Sequence, residues 1–414
     1  MIKRLECAEK VFAVVSLLHY SGGPLVVLLA GGVSEGEAST GDFNAIPVRI
    51  LYLLNYFISF LLITARWKKV IYLISKDKFI GILIAIAVMS VFWSYDPNIT
   101  ISRVIALIGT TLFGVYLASR YTLKQQIQLL GWTFGLAILL SLLFIVALPK
   151  YGIMGGVHAG AWRGIYPHKN SCGPMMMLSS IIFLFLAISE KKKRLRLWLG
   201  LALSVFILLM TRSTSALLNL INLLNVFFVF RALRLRIDWK VPILCLIITV
   251  SSSLFIIIKT DPELILGAFG KSSNLSGRDE IWAAVLDIIW KRPWLGYGYG
   301  AFWLGENSEA INIWYAVGWK VPYAHNGWLE MWLDLGFLAL IISAFGFMFS
   351  FLRSVYLVCI TTTTEMFWPG IYIVYMFLAN ISESLLMVQN GFSWVLYVTI
   401  CLSILLPPEK PVKT

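Results

Sequence analysis

Apolar residues come in runs of about twenty along most of the chain, the length a helix needs to cross the hydrocarbon core of a bilayer. Reading for such runs yields twelve: 11–31, 46–65, 79–94, 99–119, 127–148, 171–189, 197–211, 215–230, 241–258, 331–352, 367–386 and 392–406. Between the seventh and eighth, the polar group Thr211-Arg212-Ser213-Thr214-Ser215 predicts a turn at the edge of the membrane. Two stretches are too long to be mere connections: Pro149 to Asn170, and Lys259 to about Tyr323. In the second, residues 279–290 place apolar side chains at helical spacing, and Lys291-Arg292-Pro293 stops them. An amphipathic helix lying on the membrane face is expected there.

Composition sharpens this picture. Of 414 residues, 59% are hydrophobic and 13% charged, against roughly 45–50% and about 25% in an ordinary soluble domain. A soluble globule is excluded, and the expected fold is an all-α polytopic membrane protein with about twelve transmembrane helices. Residues 1–414 read as a single membrane domain, with outer loops near 149–170 and 259–323. The net charge of +13 does not point to nucleic acid, because the basic residues fall in short clusters between apolar runs. Of the 34 Lys and Arg, 22 lie in alternate loops on one side, which places both termini in the cytoplasm. The first run follows a basic start, but Ala30-Gly31-Gly32 is a poor cleavage site, so an uncleaved anchor is expected. The five Cys are scattered and predict neither a disulfide framework nor a Cys-based metal site.

Chemistry is therefore sought on the outer side. The glycines of Trp294-Leu295-Gly296-Tyr297-Gly298-Tyr299-Gly300 permit tight turns, and its aromatics offer flat faces on which sugar rings stack. The same composition also describes an interfacial aromatic belt. Basic residues on the outer side, among them Arg103, Lys150, Arg163, Lys169, Arg212, Lys259, Lys271, Arg278 and Lys320, run against the inside bias. Snorkelling to headgroups is one reading of them. Another is a diphosphate, whose oxygens a guanidinium fork holds bidentately. Three of four His (His158, His168, His325) are outside, and His325 begins His325-Asn326-Gly327-Trp328-Leu329-Glu330 where the long loop re-enters the membrane. A neutral imidazole there can take a proton from a sugar hydroxyl. The segment 267–272 lacks the glycine spacing of a phosphate loop, and neither H-E-x-x-H nor Asp-x-Asp occurs, so no metal or other cofactor is expected. Asn98 and Asn274 begin chance-level glycosylation sequons.

An ordered set of motifs then stands out: Trp162-Arg163-Gly164-Ile165-Tyr166-Pro167-His168-Lys169-Asn170, Thr211-Arg212-Ser213, Gly277-Arg278-Asp279-Glu280-Ile281-Trp282, Pro293-Trp294-Leu295-Gly296-Tyr297-Gly298, and His325-Asn326 followed by Gly336. From about 90 to 340 the chain resembles the bacterial O-antigen ligase and polysaccharide polymerase superfamily of the Wzy and WaaL type. Trp93-Ser94-Tyr95-Asp96-Pro97 with Thr100 and Arg103 resembles its exopolysaccharide polymerase branch. The resemblance implies a metal-independent, inverting glycosyltransferase of the bacterial inner membrane, taking a glycan from undecaprenyl diphosphate at the periplasmic face. It implies that Arg212 and Arg278 hold the donor diphosphate and that His325 activates the acceptor hydroxyl. Arg163, His168, Lys169, Asn326, Trp282 and Tyr297 are weaker substrate-binding candidates. A polymerase of O-antigen or exopolysaccharide is favoured, with polysaccharide-assembly proteins as potential partners. The alternatives are ligation to lipid A core, or to a protein as in an O-oligosaccharyltransferase. Ala339 stands where the ligase pattern usually has Gly, Thr or Tyr.

From another class, a twelve-helix transporter matches the span count. Repeat-built transporters, however, tend to carry broken helices and charges near mid-membrane in both halves, whereas here the polar residues gather in one outer region.

Overall fold

The computed structural model describes residues 2–29, 46–190, 194–235, 278–304 and 308–406. Helices α1 (Ile2–Tyr20), α3 (Ile46–Thr64), α5 (Lys78–Met89), α6 (Pro97–Arg120), α7 (Leu123–Ala147), α9 (Lys169–Ser189), α10 (Arg194–Met210) and α11 (Thr214–Ala232) form the first part of a bundle. Short α2 (Leu25–Leu29), amphipathic α4 (Trp67–Lys76) and one-turn α8 (Pro149–Gly152) lie between them. After α12 (Arg278–Ile289) and α13 (Ala310–Val317), the bundle resumes with α14 (Gly327–Ile360), α15 (Phe367–Ala379) and α16 (Phe392–Ser403). Six of the described helices are long and apolar enough to cross a membrane. The chain is an all-α, multi-pass membrane protein. The expected span 241–258, the first part of the long loop with Asn274, and Lys191–Lys193, Arg236, Lys240, Lys259, Lys271, Lys410 and Lys413 lie outside the described residues.

Burial separates inner from outer helices. In α9, 72% of the most apolar window is covered by protein, against 28% in α3, so α9 is central and α3 turns most of its surface to lipid. Helix α6 is sandwiched between α3 and α16, and small residues bring the axes close. Gly109 faces the Tyr56 ring and Gly114 faces Val398, with no room for a methyl group at either position.

Three expectations are corrected. The first apolar run is no unbroken span: α1 ends at Tyr20, and Ser21-Gly22-Gly23-Pro24 turns the chain before α2. The run 367–386 is helical only to Ala379, because Asn380 turns back and its Oδ1 accepts the N–H groups of Leu385 (2.8 Å) and Leu386 (3.1 Å). Finally, α12 keeps its amphipathic pattern, but its stripe of Ile281, Val285, Ile288 and Ile289 is buried against α13 and α14 rather than left for lipid. Burying each such side chain contributes roughly 1.5–3 kcal/mol, which makes a second small core beside the bundle.

The helix ends sort by chemistry. Glu9, Arg66, Arg120, Arg234 and Arg353 lie at one end of the bundle. His325, Arg278, the aromatic-glycine segment and the 149–169 segment lie at the other.

Candidate active site

His325 is placed by its neighbours. Asn326 caps α14, its Oδ1 accepting the N–H groups of Trp328 (3.0 Å) and Leu329 (3.2 Å). Gly327 comes next, where a Cβ would sit 1.9 Å from Asn380 Oδ1. Its N–H donates to the carbonyls of Asn380 (2.8 Å) and Glu383 (3.0 Å), which clamps the start of α14 onto the turn between α15 and α16. On the other side, Ala324 is held at both ends: Glu330 Oε2 accepts its N–H at 2.7 Å, and its carbonyl accepts the Trp282 indole N–H at 3.1 Å. Between these anchors His325 adopts φ of 50°, a left-handed conformation that residues other than glycine seldom hold without a local cause.

Three side chains meet at Glu383. Arg278 Nη2 lies 3.2 Å from Glu383 Oε1, the Tyr323 hydroxyl donates to Oε2 at 3.3 Å, and His325 Nδ1 is 3.9 Å from Oε2. The last distance is too long for a hydrogen bond, and Nδ1 is buried with no partner among the described residues. The His325 ring packs against Tyr323 with centroids 4.1 Å apart and planes inclined by 45°. Burial, and then the Arg278 charge, hold the imidazole down to about 4, so it is neutral at physiological pH. Burial pushes the Glu383 carboxyl above its ordinary value although Arg278 opposes the shift.

Glu383 and Tyr323 form part of the wall of a cavity of about 850 Å³ that also receives Asn170 of α9, Asn219 of α11, Arg103 of α6 and Asp334 of α14. A space of this size with mixed aromatic and polar walls lies in the range of small-molecule sites. Two motif segments distant in sequence build one side of it. The Trp93 indole donates to the Leu295 carbonyl at 2.7 Å, Tyr95 N–H donates to Tyr297 O at 2.9 Å, and Thr100 Oγ1 donates to Tyr299 O at 3.2 Å. Arg103 Nη1 donates to Gly300 O. On the far side, Tyr297 N–H and Gly298 N–H donate to Leu333 O and Asp334 O, both at 2.9 Å. Gly336, at φ of 81°, interrupts α14 where Trp294 O would lie 2.0 Å from any Cβ. The aromatic-glycine segment is thus a backbone strut wedged between α6 and α14.

Of the residues expected from sequence, Arg278 and His325 come together. Arg212 stands apart, exposed on the turn between α10 and α11 at φ of 52°, its guanidinium near Gly160. Arg163 is 3% exposed and its guanidinium is spent on the loop, donating to Tyr151 O (2.8 Å), Lys150 O (2.8 Å) and Pro167 O (3.3 Å). It clasps the 149–169 segment and does not face the cavity. Tyr297 is likewise withdrawn: 2% exposed, it donates its hydroxyl to Ile288 O at 3.2 Å within the second core. Asn326 serves as a helix cap and Trp282 as a tether of Ala324. His168 caps α9, its Nδ1 accepting Asn170 N–H at 3.1 Å with its ring against His158, and Lys169 is buried in the first turn. Sequence reading missed Glu383. A carboxylate inside a run counted as a membrane span was the signal, since such residues are costly unless paired or functional.

A family model described as O-Antigen ligase matches residues 199–344, a stretch containing Arg212, Arg278 and His325 and ending before Glu383. The exopolysaccharide production protein ExoQ of Rhizobium meliloti (strain 1021) is 36% identical over 83 residues, 19% of this chain and 19% of that protein. The aligned stretch thus spans about one-fifth of the relative's length. The chain is a multi-pass membrane protein whose residues 199–344 match the O-antigen ligase family model.

Proposed function

We propose that the protein builds bacterial surface polysaccharide as a metal-independent, inverting glycosyltransferase, moving a glycan from undecaprenyl diphosphate to a sugar hydroxyl at the periplasmic face of the inner membrane. The observation that carries this is the convergence of His325 and Arg278 on Glu383, a carboxylate that itself lines the cavity. The acceptor hydroxyl gives its proton to the neutral imidazole while its oxygen bonds to the anomeric carbon. The bond from that carbon to phosphate breaks on the opposite face, and its electron pair leaves with undecaprenyl diphosphate. Arg278 stabilises the departing charge. An imidazole held near 4 is a weak base when the site is empty. Diphosphate beside Arg278 would offset the charge that depresses it and raise its basicity. Glu383, released from Arg278, would then accept a hydrogen bond from the imidazolium as it forms, as the buried Asp does in serine hydrolase triads.

A polymerase is favoured because the 93–103 and 162–170 segments resemble the exopolysaccharide branch and the matched relative is a production protein for exopolysaccharide. Ligation to lipid A core is the second reading, supported by the description of the family model. Arg212, exposed on the turn between α10 and α11, would be the second arginine for the diphosphate, as the resemblance implies. The whole chain acts as one unit, since the site draws on α6 and on everything from α12 to α16.

The test is the extracted glycolipid profile of cells carrying the wild-type protein or His325→Ala. Accumulated single lipid-linked repeats without long polymer mark a polymerase. Long lipid-linked polymer that never reaches lipid A core marks a ligase, and an unchanged profile overturns the enzyme.

A further inference from the structure

Of the residues around His325, Tyr323 and Glu383 line the cavity, and the glycosyl-transfer reading leaves another stretch of its wall without a role. Glu330 and Asp334, four residues apart on one face of α14, line that stretch together with Arg103, Trp303 and Trp314. Glu330 is fully engaged, its Oε1 accepting the Trp303 indole N–H at 2.8 Å and its Oε2 the Ala324 N–H. Asp334 is half engaged. Its Oδ2 accepts Gly300 N–H at 2.9 Å, whereas Oδ1 has no partner among the described residues although the side chain is 8% exposed. Arg103 gives Nη1 to Gly300 O, and its other guanidinium nitrogens bond no described residue. The Trp314 indole N–H is also satisfied within the protein, by Val321 O at 2.8 Å, so both tryptophan rings are held in place along the wall.

A buried acceptor with no partner keeps its desolvation cost unrepaid, and a bound ligand can recover it. An unfilled carboxyl oxygen, unfilled guanidinium donors and fixed aromatic rings complement the hydroxyls and the C–H face of a pyranose. The two carboxyl groups do not complement a diphosphate, whose oxygens are acceptors like their own. We propose that this wall is the acceptor-glycan subsite. Here Asp334 Oδ1 accepts a hydrogen bond from, and Arg103 donates one to, hydroxyls of the sugar next to the one that reacts. The subsite rests on the glycosyl-transfer reading above. Ala324 links this wall to the transfer residues, because Glu330 holds the residue that immediately precedes His325.

The probe is the host cell's repeat oligosaccharide, released from its carrier lipid by mild acid and added to the protein in lipid nanodiscs. Binding is followed by saturation-transfer NMR, and transfer by separate KM values for donor and acceptor. Wild type and His325→Ala should bind the oligosaccharide equally. Asp334→Asn, which keeps an oxygen for Gly300 N–H, and Arg103→Lys, which keeps the charge but loses the fork, should each weaken binding at least tenfold. Acceptor KM should rise with donor KM held within twofold. In wild type alone, hydroxyl-radical footprinting should show the oligosaccharide shielding Trp303 and Trp314. Unchanged binding in both variants, absent shielding, or a rise confined to donor KM overturns the subsite. Binding and shielding without any transfer by wild type keep the sugar site and count against the transfer reading.

Discussion

At the basic end of the bundle, the charges that join helices are answered. Glu9 takes Arg66 at 2.8 Å and also Arg120, while Arg234 donates to Val358 O, Thr362 O and Thr363 O and lies 4.1 Å over the Phe367 ring. Arg353 closes onto Ile404 O at 3.2 Å. At the opposite end, His325 Nδ1, Asp334 Oδ1, Ser213 Oγ and Ser384 Oγ are buried without a partner among the described residues, and His325 and Arg212 hold left-handed backbone. One lipid-solvated protein therefore uses buried polarity in two ways. Where groups are satisfied they tie helices together, and where they are left open the fold has forgone stability to keep donors and acceptors for something else.

Removing the open groups should break this contrast most sharply. His325→Ala or Arg278→Ala is expected to lower transfer by at least about 10²-fold, with the protein still inserted and monodisperse in nanodiscs. Normal polymer in both variants would sink the assignment. Glu383→Gln keeps shape and removes charge, and a loss on the order of tenfold is expected, read as a fall in kcat at nearly constant donor KM.

The pH dependence follows from the depressed imidazole. On the proposed mechanism protonation of the free enzyme removes the base, so kcat/KM should stay level through neutrality and fall as the pH drops through about 4. Arg278→Met removes one of the two causes and should move the His325 midpoint up toward the ordinary histidine value of about 6.5. Histidine-selective acylation against pH, in a chain keeping His325 as its sole histidine, measures this without activity. An unmoved midpoint would leave burial as the only cause.

Effects at the satisfied groups should be smaller. Arg163→Lys loses the fork that clasps three carbonyls, which should lower the melting temperature while donor KM stays unchanged; a raised KM would restore Arg163 to the substrate. Smallest of all, Glu9→Gln should cost about 1 kcal/mol, seen as a shift of a few degrees in thermal inactivation, with transfer within twofold of wild type.

Much of this was legible in the sequence. Periodicity located the helices because lipid leaves the backbone little choice but helix. His325 could be singled out because a short polar motif at the membrane boundary is unusual. What stayed hidden depends on who sits opposite. Arg163 and Arg278 are both loop arginines, yet one is consumed by carbonyls of its own segment and the other meets a carboxylate 105 residues away. Tyr297 could have been a sugar platform or a core residue, and only the packing of α12 against α14 decides. Glu383 was concealed inside an apolar run whose helix stops early, because Asn380 supplies the capping bonds that hydropathy does not register.

The seam between the 93–103 and 294–300 segments has a consequence for biogenesis. Trp93 and Leu295 are joined across 202 residues, and Thr110 receives the N–H of Asn390 across 280. During synthesis, α6 must enter the bilayer long before its partners on that seam have left the ribosome, so its polar face waits while most of the remaining chain is made. Premature stops after α11 should therefore yield inserted fragments without the cavity, and two separately translated halves should regain it only if they meet in the same membrane.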